Sequence, residues 1–178
     1  EAAVVMEAST GRVLFGQDEH EPLAMASTTK IMTALLALEQ PDLDEYFEVD
    51  SQAIHVEGTS MGLVEGDQVT LRALAAGMLL ASGNDAAGAA AVRIAGSIEA
   101  FTEQMNERAR QIGMLDTCFE TPSGLDSGQH HSTAYDMALL AREALGNDDF
   151  ASICSQQRMQ VSFGSPPATR WLSNHSRL

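Results

Sequence analysis

The stretch from residue 70 to residue 95 limits the fold more than any other part of the chain. Thr70 precedes an apolar run from Leu71 to about Ala81, and Ser82-Gly83-Asn84-Asp85 interrupts it before a second run reaches about Ala95. Threonine is a favourable N-cap, so the first run reads as a helix that begins at Leu71. Asn84 or Asp85 is the expected cap of the second. That second helix is mostly Ala and Gly, whose short side chains suit close packing against a neighbour. Aromatic residues make up only 5% of the chain, so the core must be built from Ala, Leu, Val, Ile and Met.

The rest of the chain supplies partners for this pair. Residues 2–6 and 12–15 read as two short strands joined by Ala8-Ser9-Thr10-Gly11, a hairpin signal. Ser27 is expected to open a helix whose apolar residues Ile31, Leu35 and Leu38 recur at helical spacing, with Pro41 as its stop. Residues 42–69 are loop-rich. Ser97 caps a helix with the stripe Phe101, Met105, Ala109 and Ile112, and Gly113 ends it. Ser132 or Thr133 caps another that runs to Gly146. A short helix near 148–156 and a strand near 158–163 follow, then a surface turn at Pro166-Pro167. The expected fold is a single α+β domain over residues 1–178, a helical cluster with a small antiparallel sheet. One hairpin and one further strand are thin cover for such a cluster.

The 178 residues carry a formal net charge of -15, which argues against a nucleic-acid partner, since phosphate binding needs clustered Lys and Arg. No apolar run approaches the ~18 residues of a membrane span. The chain opens directly into a strand-like segment, so a secretion signal or membrane attachment is expected to lie in a segment outside it. Cys118 and Cys154 have no Cys/His ligand spacing around them and read as buried thiols rather than a disulfide or a zinc site. The five histidines show no paired spacing for a metal, and no cofactor is implied. The methionines and Trp171 read as core packing.

Lys30 is the only lysine; the other nine basic residues are arginines. Lysine can lose its proton when buried and arginine cannot. In Ser27-Thr28-Thr29-Lys30 the i+3 spacing brings Lys30 onto the face of Ser27, where a neutral amine could take the hydroxyl proton and create a nucleophile. Taken alone, Ser-x-x-Lys reads more readily as a helix-starting serine with an incidental lysine, and its being the only lysine shifts the balance toward function. Ser82-Gly83-Asn84 can present a hydroxyl and a carboxamide into a cleft, or be an ordinary turn between helices.

The two segments together resemble the penicillin-binding proteins and serine β-lactamases. Met25 to Ala34 is similar to the nucleophile segment of the low-molecular-mass D-alanyl-D-alanine carboxypeptidases, and Ser82 to Ala87 to their second motif. The likeness extends to Ser60-Met61-Gly62-Leu63, Glu65-Gly66-Asp67, Met105-Asn106, Gly113-Met114, Ser123-Gly124-Leu125-Asp126 and His131 to Asp136. The resemblance implies a β-lactamase/transpeptidase-like fold. It implies that Ser27 attacks a D-Ala-D-Ala amide of a peptidoglycan stem peptide, with Lys30 as general base and Ser82 as proton relay. Asn84 would hold the substrate and bond to Lys30. β-Lactams would acylate the same serine, and the setting would be the bacterial cell envelope, outside the cytoplasm.

One departure bears on this reading. The family's third motif, Lys-Thr-Gly on a sheet strand, is absent, and Arg170 to Leu178 resembles the stretch that precedes it. The chain therefore reads as cut before C-terminal sheet strands that would carry a carboxylate-binding cation and an oxyanion donor. Two rivals follow. One is a catalytically incomplete fragment that binds peptidoglycan or a partner. The other is a serine β-lactamase, for which residues 95–135 lack a Glu-x-x-x-Asn loop.

Overall fold

A computed structural model describes residues 1–125 and 127–175. Its centre is α1 (Lys30–Leu38), in which every residue except Ile31 is buried. A short helix buried on nearly all sides is the middle of a cluster rather than an amphipathic cover. Around it pack α2 (Leu71–Ala81), α3 (Asn84–Ala95), α4 (Ile98–Ile112), α5 (Ala134–Leu145) and α6 (Asp148–Cys154). Thr70, Ser97 and Thr133 cap α2, α4 and α5 by accepting the backbone N–H three residues on, and Gly113 closes α4 in the left-handed conformation. Ser82 closes α2, and Gly83 takes the N-cap place before α3 without a side-chain bond. Asn84 and Asp85 are thus the first residues of the helix, not its cap.

The strands form two antiparallel sheets. β1 (Ala3–Met6) pairs with β2 (Val13–Gln17), with Val5 opposite Phe15. The second sheet has the order β3 (Phe47–Glu48), β4 (Gln68–Val69), β5 (Arg158–Gly164), β6 (Pro167–Ser173). Sequence reading foresaw β1, β2 and β5 and missed the other three. β3 and β4 have two residues each, too few to display an alternation. β6 starts on Pro167, which looked like a turn. Proline is tolerated at the first residue of a strand, and here it pairs with Gly164 across the tight connection.

Trp171 is 56% exposed, with the Arg158 guanidinium over its ring, so it is a surface residue and not core. Among the described residues both cysteines are free thiols; they are half-buried rather than buried, and burial raises both thiol pKa values. Met25, Met32, Met61, Met78, Met105 and Met114 do fill the core.

Candidate active site

Ser27 does not sit at the first turn of an α-helix. It lies in a 3-10 turn, Ala26–Thr29, that follows Met25 and runs straight into α1. Ala26 has a positive φ of 45°, uncommon outside glycine, so the chain bends sharply just before the serine. The i+3 relation still holds: Lys30 Nζ is 3.2 Å from Ser27 Oγ.

Lys30 is buried and donates a 2.7 Å hydrogen bond to the Ser123 carbonyl. No carboxylate faces it in an ion pair among the described residues. Burial without a counter-charge disfavours the ammonium form, and it pulls the Lys30 pKa from 10.5 down to about 8. An amine in that range still donates to Ser123 when neutral and leaves its lone pair for the serine proton.

The Ser123 carbonyl is held in place by the same face of α1. Thr33 Oγ1 donates to the Pro122 carbonyl at 2.7 Å. Thr29 Oγ1 lies 2.8 Å from His130 Nε2, while His130 Nδ1 accepts from the Glu120 N–H. An accepting Nδ1 places the ring proton on Nε2, so the imidazole donates to Thr29 and ties the nucleophile turn to the 118–131 loop. Gly124, at φ 85°, lets that loop press against the turn; a side chain there would drive into the Ala26 carbonyl. Asp126, the last residue of the Ser-Gly-Leu-Asp segment, lies outside the described residues, as do Ser176, Arg177 and Leu178.

The opposite wall is the α2–α3 turn fastened to residues 57–63. Asn84 N donates to the Thr59 carbonyl at 2.7 Å, Asn84 Nδ2 to the Glu57 carbonyl, and Thr59 Oγ1 to the Ser82 carbonyl. Asp85 is buried and collects Ser60 Oγ, Met61 N, Gly62 N and Leu63 N at 2.6–3.1 Å. Ser27, Asn84, Ser123 and Gly124 then line one open cleft of about 320 Å³, with Gly58 and Thr59 at its rim.

Of the four residues singled out from sequence, Ser27 and Asn84 line this cleft, and Lys30 is buried against Ser27. Asn84 does not bond Lys30, whose partners are Ser27 and Ser123. Ser82 is half-buried behind Asn84 and enters the arrangement through its carbonyl. Sequence reading missed the Ser123 and Glu57 carbonyls, the Thr29–His130 tie and the Asp85 clamp. Backbone carbonyls carry no residue-type signal. Asp85 and Ser123 were visible only as flanks of motifs.

A family model described as D-alanyl-D-alanine carboxypeptidase matches residues 1–178. The chain is 40% identical over 149 residues to D-alanyl-D-alanine carboxypeptidase DacF of Bacillus subtilis, covering 81% of this chain and 38% of that one. It is 36% identical over 168 residues to D-alanyl-D-alanine carboxypeptidase DacD of Escherichia coli, covering 88% and 43%. It therefore spans about two fifths of the length of these curated relatives. The crystal structure of a D-alanyl-D-alanine carboxypeptidase from Mycobacterium tuberculosis superposes with a TM-score of 0.92 at 32% identity, covering 98% of this chain and 66% of that one. With its helical cluster, its antiparallel sheets and a family match from first residue to last, the chain belongs to the D-alanyl-D-alanine carboxypeptidase family.

Proposed function

We infer that this chain carries the nucleophile half of a serine D-Ala-D-Ala carboxypeptidase that trims peptidoglycan stem peptides and is acylated by penicillin. The observation that carries the reading is the buried Lys30 amine, 3.2 Å from Ser27 Oγ with its pKa lowered to about 8. Lysine poised near neutrality is a general base; a fully charged one is not.

The reaction begins when Ser27 Oγ attacks the carbonyl carbon of the penultimate D-Ala and its proton passes to Lys30 Nζ. The Ser27 backbone N–H faces the developing oxyanion; removing one such donor from an acyl-transfer enzyme costs about 3 kcal/mol. Asn84 holds the substrate amide in the cleft. Collapse breaks the C–N bond, and the proton on Lys30 passes to the leaving amine. Water then hydrolyses the ester, restoring Ser27 and releasing the shortened peptide. A β-lactam follows the first half of this path. The work belongs to the bacterial envelope, where the substrate is.

Incubation of the full-length protein with benzylpenicillin followed by intact-mass measurement tests the assignment. One adduct per chain, mapped to the peptide holding Ser27 and lost in Ser27→Ala, is expected. No adduct, or one that survives Ser27→Ala, rejects it. The rate of that acylation is also expected to rise with pH through about 8. Neutral Lys30 is the active form, and its fraction grows as pH climbs past the lowered pKa. Stopped time courses across the neutral to alkaline range measure it; a flat profile removes Lys30 as the base.

A further inference from the structure

A buried imidazole that the reaction above does not use reaches the nucleophile turn from outside α1. His130 is 8% exposed, and its two ring nitrogens meet different parts of the chain. Nδ1 accepts from the Glu120 N–H at 3.0 Å, within the loop 118–131. Nε2 is 2.8 Å from Thr29 Oγ1. Thr29 is fully buried and lies in the 3-10 turn between Ser27 and Lys30. The ring has little room to turn. Phe119 stands edge-on to it with 6.0 Å between centroids, and the His130 backbone N–H donates to the Ser127 carbonyl at 2.9 Å.

The loop that His130 fastens also carries the carbonyl that orients Lys30. The amine bonds both Ser27 Oγ, at 3.2 Å, and the Ser123 carbonyl of that loop, at 2.7 Å. A slip of the loop against the turn therefore draws the amine away from the hydroxyl it must deprotonate. The imidazole bridges the two parts, with one bond to the loop backbone and one to the turn. A misplacement of about 1 Å between reacting groups can cost about 10²-fold in rate. We propose that His130 is a positioning residue for acylation, whose Nε2–H bond to Thr29 sets the distance between Lys30 and Ser27. The role needs no contact with substrate and no change of charge on the ring. The inference rests on Ser27 being the acylated residue.

Two amides divide the imidazole between them, since asparagine offers an oxygen near the place of Nδ1 and glutamine an N–H near the place of Nε2. In full-length protein, His130→Asn keeps an acceptor for Glu120 and loses the donor to Thr29. Its acylation by saturating benzylpenicillin is expected to fall by about 10²-fold, with the half-saturating concentration unchanged. His130→Gln gives up the acceptor and restores the donor, so it should recover most of that rate. Thr29→Val removes the same bond from its other end and should be as slow as His130→Asn. The double variant should be no slower than either, because both remove one interaction. Valine matches threonine in shape, so Thr29→Val carries the test if His130→Asn gives no cooperative urea transition. Long-range proton–nitrogen NMR of the native protein should find the His130 ring proton on Nε2. A proton on Nδ1, near-native rates in His130→Asn and Thr29→Val, a glutamine variant as slow as the asparagine one, losses that multiply in the double variant, or rates that merely follow the urea midpoints overturn the role and leave Ser27 standing. A native protein that benzylpenicillin does not acylate overturns the nucleophile and the role with it.

Discussion

Lys30→Met is expected to slow acylation of Ser27 by about 10³-fold, the middle of the range for a positioned general base. Methionine keeps the length and apolar stem of lysine, so the buried site stays filled. It has no lone pair basic enough for the serine proton. The Ser123 carbonyl loses its 2.7 Å donor, at a stability cost of about 1–3 kcal/mol for a buried acceptor left unpaired. A urea titration separates that loss from the catalytic one. The diagnostic reading is the pH profile. In the native chain the rate climbs through about pH 8 as Lys30 gives up its proton; in Lys30→Met the residual rate should lose that limb. Lys30→Arg is the companion variant. It keeps a donor for Ser123 but stays charged at any working pH, so it should be as slow as the methionine variant. A variant within tenfold of the native rate would mean that another group takes the proton.

The second large effect is on stability. Asp85→Ala is expected to destabilise the chain by about 4 kcal/mol, a large share of the roughly 5–15 kcal/mol that holds a typical domain folded. The carboxylate is 2% exposed and receives Ser60 Oγ and the N–H groups of Met61, Gly62 and Leu63. It sits in the first turn of α3, where the helix dipole favours a negative charge. Alanine leaves the Met61 and Leu63 N–H groups without their acceptor, each worth about 1–3 kcal/mol when buried and unpaired, while the exposed Gly62 N–H keeps Ser60 Oγ. The loop 57–63 would loosen, and with it the Glu57 and Thr59 carbonyls that aim Asn84. Asp85→Asn offers one acceptor oxygen instead of two and should recover about half the loss. Urea midpoints at constant slope measure both. A loss below about 1 kcal/mol for Asp85→Ala would show that the loop is anchored by its apolar residues, such as Met61 and Leu63, instead.

Much of this architecture could be read directly. The caps Thr70 and Ser97 and the stop at Gly113 stand where the sequence placed them, and Thr133 is the one of its two candidates that caps α5, because capping is a local matter of one side-chain oxygen and one N–H three residues on. The Ser27–Lys30 pair was legible for the same reason: a spacing of three joins neighbours on any helical turn, and a lone lysine drew the eye. The start of α1 was less so. Ala26 has a positive φ, and its carbonyl packs against Gly124 of a loop almost a hundred residues away.

What the sequence determined by itself is the chemistry within reach of each short segment: a hydroxyl and an amine three apart, a carboxamide in a tight break between two helices, an alanine- and glycine-rich helix that must be closely packed. What only the tertiary structure decided is which groups at long separation face them. The lowered Lys30 pKa arises from burial by the whole cluster, and its orienting partner is a backbone carbonyl at position 123. The Asp85 clamp joins residues more than twenty apart, and β6 exists because β5 offers it a ladder from Gly164 to Arg158. Local spacing sets what a side chain can do. Burial and long-range hydrogen bonding set whether it is charged, where it points and what it meets, and neither has a signature in a short stretch of sequence.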